Sequence, residues 1–135
     1  MTTPEGRVKN ATSKLLKEFG AVQINNDVEA FDDDTVPDPE LYYFMPVQSG
    51  LGKRTLDYLC CYRGHFIAIE TKAPSKWLTG IQETTKRQME AAGATVFVIA
   101  HHSRKVRGHP MADTLDELRD FLRRLRDESD ADDDT

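Results

Sequence analysis

The stretch LDYLCCYRGHFIAIETK, residues 56–72, decides the fold, because it is typical of two short strands joined by a tight turn. The sequence predicts the turn at YRGH, residues 62–65, with pairing symmetric about residues 63 and 64. Opposed residues then have numbers that sum to 127. The predicted pairs include Cys61 with Phe66, Leu59 with Ala68, and Asp57 with Glu70.

The pairing of Asp57 with Glu70 sets two carboxylates against each other in an otherwise apolar hairpin. Directly opposed side chains lie about 5 Å apart, where like charges destabilise a sheet, so a positive group is expected between them. Lys72 lies two residues beyond Glu70 and projects from the same face. Two carboxylates with backbone oxygen suit Mg²⁺ or Mn²⁺, and a nearby lysine can neutralise charge at phosphorus. The spacing fits a metal-dependent phosphodiesterase and, equally, a salt-bridge cluster at a strand end.

The elements around the hairpin follow from caps and periodicity. Thr3 and Pro4 begin a helix that Gly20 closes, and residues 41–47 form a strand in which Pro46 marks an edge or an end. A second helix covers about 80–92, and the apolar run 94–100 is a buried strand. The last helix starts near Asp113, and its stripe of leucines either packs on the sheet or forms a dimer surface. The predicted order is α-β-β-β-α-β-α, an α/β fold with a mixed sheet flanked by helices.

Charge is segregated along the 135 residues, whose net charge is −5. Residues 27–40 carry seven acids and residues 127–135 carry six, and neither segment has a base. Without these 13 acids, ten acids face 18 bases, a balance of +8. A basic body of this kind can meet phosphate. We expect one domain over 1–126 with an acidic loop at 27–40, and a disordered acidic tail over 127–135.

Other features narrow the class of protein. No apolar run approaches a membrane span, and MTTPEGRVKN lacks the core of a signal peptide, so a cytoplasmic location is expected, or the host cytoplasm if the protein is viral. The adjacent Cys60 and Cys61 point to opposite faces of a strand and are predicted to be free thiols.

With these residues in place, the chain resembles the PD-(D/E)XK nuclease superfamily, and within it the virus-type replication-repair nucleases (VRR-NUC), which are related to Holliday-junction resolvases. The resemblance covers residues 42–100 and the opening helix. It depends on Asp57, the triplet Glu70-Thr71-Lys72 at the end of an apolar strand, and Gln82 in the following helix. The proline of the family's motif is Leu56 here, which affects backbone shape rather than chemistry.

The resemblance implies a restriction-endonuclease-like core and a hydrolytic mechanism. One or two Mg²⁺ or Mn²⁺ ions would lie between Asp57 and Glu70, with the Thr71 carbonyl and a first-helix glutamate, best matched by Glu5, as further ligands. Lys72 would position the attacking water and stabilise charge. Gln82 would orient the site or contact DNA, although it also completes a capping box with Thr79.

Substrate choice is less constrained by the sequence. Basic side chains suited to sequence-neutral phosphate contacts are Lys53, Arg54, Lys76, Lys86, Arg87, Arg104, Lys105 and Arg107. They favour recognition of DNA shape, such as junctions, flaps or ends, in replication, repair or recombination, and a homodimer would cut two strands symmetrically. Trp77 either stacks on an unpaired base or anchors its loop.

Three rival classes stay open. The first is a catalytically silent nucleic-acid-binding module. The second is a zinc protein that uses His101, His102 and His109 with Cys60 or Cys61, although the spacing is not that of common zinc sites. The third is a decoy that binds a DNA-binding protein through its acidic tail.

Overall fold

The fold is given by a computed structural model that describes residues 3–22, 38–46, 55–73, 76–100, 108–109 and 111–133. The elements are α1 (Pro4–Glu18), β1 (Leu41–Phe44), β2 (Tyr58–Tyr62), β3 (His65–Lys72), α2 (Gly80–Ala91), β4 (Thr95–Ala100) and α3 (Leu115–Asp133). This is the predicted order of helices and strands. The predicted acidic loop lies outside the described residues except for 38–40.

Within the described residues, four strands form one mixed sheet in the order β1-β2-β3-β4. The pairs β1–β2 and β2–β3 are antiparallel, whereas β3–β4 is parallel and is joined through α2. Within the hairpin, Cys61 lies opposite Phe66 and Leu59 opposite Ala68, so the predicted register is confirmed. Arg63 and Gly64 have φ angles of 50° and 80°, which match the left-handed positions of a type I′ turn.

The helix starts follow their predicted caps. The Thr3 hydroxyl accepts a hydrogen bond from the Gly6 amide at 3.0 Å, and Pro4 occupies the first turn of α1. At α2, Thr79 and Gln82 form a complete capping box. Both caps satisfy amides that a helix otherwise leaves without partners, which fixes where each helix begins beside the sheet.

One face of the sheet is packed against two helices. There α1 and α3 pack over the hairpin and β4 in the main core, which includes Tyr58, Ile69, Leu16, Leu118 and Leu122. The other face holds a smaller cluster of Leu56, Ala68 and Val96, against which Met89 of α2 packs. The leucine stripe of α3 therefore packs into the core. This is the first of the two alternatives predicted for it.

The acidic end of the chain differs from its prediction. Helix α3 continues to Asp133, so residues 127–133 are helical where a disordered tail was expected. The Arg63 guanidinium donates to Asp130 Oδ1 at 2.9 Å and to Ser129 Oγ at 3.4 Å, and this contact ties the end of the helix to the hairpin turn. The charge content of the segment could not reveal such an anchor. None of the helices in the described part of the chain is long and apolar enough to cross a membrane.

Candidate functional site

Asp57 and Glu70 meet at the open end of the hairpin, one residue beyond the paired Tyr58 and Ile69. Asp57 directly precedes β2, and Glu70 lies within β3. Their exposed fractions are only 6% and 2%, so both carboxylates are buried. The structure thus brings the two side chains together as the hairpin register predicted.

Each carboxylate binds the backbone of the opposite strand. The Asp57 amide donates to Glu70 Oε1 at 2.9 Å. In return, the amide and the hydroxyl of Thr71 donate to Asp57 Oδ2 at 2.9 and 2.7 Å. Hydrogen bonds to an ionised carboxylate are stronger than bonds between neutral groups. This reciprocal pair therefore fixes the orientation of both side chains and closes the end of the hairpin.

Two lysines compensate the buried negative charge. Lys72 Nζ lies 3.6 Å from Glu70 Oε2, and Lys9 Nζ of α1 lies 3.9 Å from Asp57 Oδ1. Lys72 was predicted for this position, whereas Lys9 was missed. The feature of the sequence that could have indicated Lys9 is its position directly after Val8, at the edge of the apolar stripe of α1. Its approach to Asp57 depends on how α1 packs across the sheet.

A buried tyrosine holds this part of α1 against the hairpin. The Tyr58 hydroxyl donates to the Lys9 carbonyl at 2.9 Å and lies 2.8 Å from Ser13 Oγ. Burial raises the pKa of Tyr58 to about 12, so the phenol stays protonated at neutral pH and can donate. The backbone of Lys9 is thereby held at a defined distance from the carboxylate that its ammonium group faces.

Gln82 connects the site to the start of α2. Its Nε2 donates to Glu70 Oε2 at 2.5 Å, while its Oε1 accepts from the Thr79 amide at 3.0 Å. The Thr79 hydroxyl in turn accepts from the Gln82 amide at 3.3 Å. The predicted capping box of Gln82 is therefore confirmed, and the same side chain also contacts the predicted site residue Glu70. One amide group does both because it carries a donor and an acceptor.

Glu5 does not join this group. It is half-buried in the first turn of α1, and the described residues contain no cluster of three or more His, Cys, Asp or Glu side chains. The α1 residue that reaches Asp57 is Lys9, one turn further along, so the helix contributes a cation there instead of a third carboxylate. The remaining oxygen donors, from Asp57, Glu70 and the Thr71 backbone, are hard ligands of the kind that Mg²⁺ and Mn²⁺ prefer.

The predicted phosphate-binding residues are only partly described. Lys53, Arg54, Arg104, Lys105 and Arg107 lie outside the described residues. Lys76 and Arg87 are exposed, and Lys86 Nζ pairs with Glu90 Oε1 at 2.9 Å.

Trp77 is anchored within its loop. Its Nε1 donates to Glu83 Oε1 at 3.1 Å, and its ring stacks on His109 with centroids 5.5 Å apart. These contacts favour the predicted role as a loop anchor over a stacking platform. Cys60 is buried and Cys61 exposed, both as free thiols, and His101 and His102 lie outside the described residues.

No protein-family model, curated protein or solved structure matches the chain. The chemistry that the site could perform is therefore inferred from its geometry. That geometry combines two buried carboxylates with fixed orientation, an ammonium group beside each of them, and an amide that reaches in from a third element. Such an arrangement can hold a divalent cation and can stabilise a neighbouring anionic group.

Proposed function

We propose that the chain is a divalent-metal-dependent DNA endonuclease that hydrolyses phosphodiester bonds on a restriction-endonuclease-like core. The substrates we propose are junctions, flaps or ends formed in replication, repair or recombination. The observation that carries the proposal is the buried pair Asp57–Glu70 with Lys72 beside it. The order of helices and strands and the hairpin register support it, because both agree with the resemblance to the PD-(D/E)XK nucleases.

The burial of Asp57 and Glu70 favours a functional site over a salt-bridge cluster at a strand end. Removing a carboxylate from water costs several kcal/mol even after a protein relaxes around it. An exposed pair at a strand end would avoid that cost. Instead, Asp57 and Glu70 are buried side by side. Buried pairs of like-charged titratable side chains are concentrated at functional sites.

The residues present fit a divalent cation. Asp57 and Glu70 would hold Mg²⁺ or Mn²⁺, with the Thr71 carbonyl as a backbone ligand. When bound, the ion would supply Lewis acidity toward a phosphoryl oxygen and would relieve the repulsion between the two carboxylates.

The side chains of the chain itself would perform the remaining tasks. Lys72, with 14% of its side chain exposed, is near enough to the site to stabilise negative charge that develops on the phosphorus oxygens and to orient the attacking water. Gln82 holds Glu70 Oε2 in place. Lys9 balances the charge of Asp57 from the side of α1.

The test is cleavage of labelled DNA in Mg²⁺ or Mn²⁺, with linear duplex, single strand, flap and four-way junction as substrates. Wild type, Lys72→Ala and Arg123→Ala are compared, since Arg123 is an exposed base on α3, away from the site. We expect cutting by wild type and by Arg123→Ala, and a loss of about 100-fold or more in Lys72→Ala with DNA binding retained. Equal cutting by Lys72→Ala would refute the assigned role. No cutting by wild type on any substrate, with binding intact, would favour the silent binding module.

A further inference from the structure

A groove of about 480 Å³ runs along α1 and is lined by basic and neutral polar side chains together with Gly6 and Met45. Three of its lining residues are lysines, Lys9, Lys14 and Lys17, and none of the described residues that line it is acidic. We call this surface the α1 groove. Eight residues of helix separate Lys9 from Lys17, a distance of about 12 Å along the helix axis. A DNA strand presents one phosphate per about 3.4 Å of duplex axis, so the lysines span about three phosphates.

The α1 groove is continuous with the candidate active site. Lys9 lines the groove and also lies 3.9 Å from Asp57 Oδ1. Tyr58, the residue after Asp57, lines the groove too, and its hydroxyl contacts the Lys9 carbonyl and Ser13. A polymer that lies in the groove would therefore lie beside Lys9 and Tyr58, which border the candidate site.

Two of the three lysine charges in the groove are available to a ligand, since Lys9 is paired with Asp57. Lys14 and Lys17 are exposed, and within the described residues neither has an acidic partner in ion-pair range. The groove beside Trp77 differs, because its lining includes Glu83 and Glu90 and its Lys86 is paired with Glu90. Charge complementarity therefore favours the α1 groove for a polyanion.

We propose that the α1 groove binds the sugar-phosphate backbone of the DNA strand next to the bond that is cut. Lys14 and Lys17 would contact successive phosphates, and Lys9 would stand where the groove meets the site. Contacts of this kind position a duplex without reading its sequence. The choice of DNA as the ligand rests on the proposed nuclease function, whereas the groove itself is a feature of the structure.

The experiment measures DNA binding without divalent metal, by fluorescence anisotropy of a labelled duplex between 50 and 200 mM salt. Lys14→Ala/Lys17→Ala is compared with Arg123→Ala/Arg124→Ala, which removes the same charge from α3. We expect the slope of log K against log salt to fall by about 2 in the α1 variant, one unit for each lysine, and to stay at the wild-type value in the control. Lys14→Arg/Lys17→Arg is expected to restore the slope. In the cleavage assay the α1 variant is expected to have a raised KM and an unchanged kcat.

Two results would overturn the proposal: a wild-type slope in the α1 variant, or an equal loss in the control. Equally tight, equally lysine-dependent binding of poly-glutamate would also overturn it, because the groove would then not select a phosphate backbone. Because DNA binding is measured without metal, the binding assay tests the α1 groove independently of the cleavage assay, which tests the nuclease. A protein that binds as expected but never cuts refutes the nuclease, and a protein that cuts while the slope is unchanged refutes only the groove.

Discussion

Replacing Gln82 by Ala tests whether the start of α2 controls the candidate metal site. The change removes the donor to Glu70 Oε2 and the acceptor for the Thr79 amide. A hydrogen bond to a charged group contributes about 1.5–3 kcal/mol and a neutral one about 0.5–1.5, so we expect the free energy of unfolding without metal to fall by about 2–4 kcal/mol. The bond to Glu70 also holds a proposed ligand in place. At about 1.4 kcal/mol per factor of ten, its loss corresponds to about 10–100-fold weaker Mn²⁺ binding.

Thr79→Ala is the matched control for this prediction. It removes the hydroxyl that caps α2 but keeps the Thr79 backbone amide and leaves the Gln82 side chain intact. We expect it to cost about 1 kcal/mol of stability and to leave Mn²⁺ affinity within about twofold of wild type. Urea unfolding in the presence of a chelator gives the stabilities, and calorimetric titration with Mn²⁺ gives the affinities. If Gln82→Ala binds Mn²⁺ as tightly as wild type, or if Thr79→Ala weakens binding as much, Gln82 is a capping residue only.

Two further predictions concern stability. Tyr58→Phe removes the donor to the Lys9 carbonyl, so we expect about 1 kcal/mol lower stability, and an unchanged urea midpoint would contradict this. Burial raises the pKa of Asp113, whose carboxylate accepts from the Val98 amide at 2.9 Å. Because the folded state holds this proton more tightly than the unfolded state, the contribution of Asp113 to stability falls as pH rises from its ordinary pKa of 3.8 through the raised value. The stability of Asp113→Asn relative to wild type should therefore increase over that window, whereas a constant difference from pH 3 to 7 would refute the reasoning.

The sequence predicted those parts of the fold that depend on local signals. Thr3, Pro4 and Thr79 indicated where two helices begin. The Arg63-Gly64 turn indicated the register that places Asp57 next to Glu70. This register is strongly specified because a slip by one residue would turn the apolar face of the hairpin to solvent.

The parts that depend on packing between distant segments were not predictable. Lys9 reaches Asp57 only because α1 crosses the hairpin, 48 residues away in the sequence. Glu5 was predicted to join the site for the same reason. The sequence alone does not show which turn of α1 faces Asp57, and the structure places Lys9 there. Composition likewise suggested a disordered tail, because it could not anticipate the contact between Arg63 and Asp130.

That contact between the hairpin turn and the end of α3 also fixes where the acids of this helix end lie relative to the candidate site. The turn holds the acidic end of α3, and the opposite end of the hairpin holds Lys9 and Lys72 with the carboxylates. The five residues of β2 separate the two ends by about 17 Å, twice the screening length of about 8 Å in physiological salt. At this distance the acids of α3 contribute little to the electrostatics of the site, where Lys9 and Lys72 face the two carboxylates. Changes of charge at the end of α3 should therefore leave the surroundings of the two carboxylates largely unaltered in physiological salt.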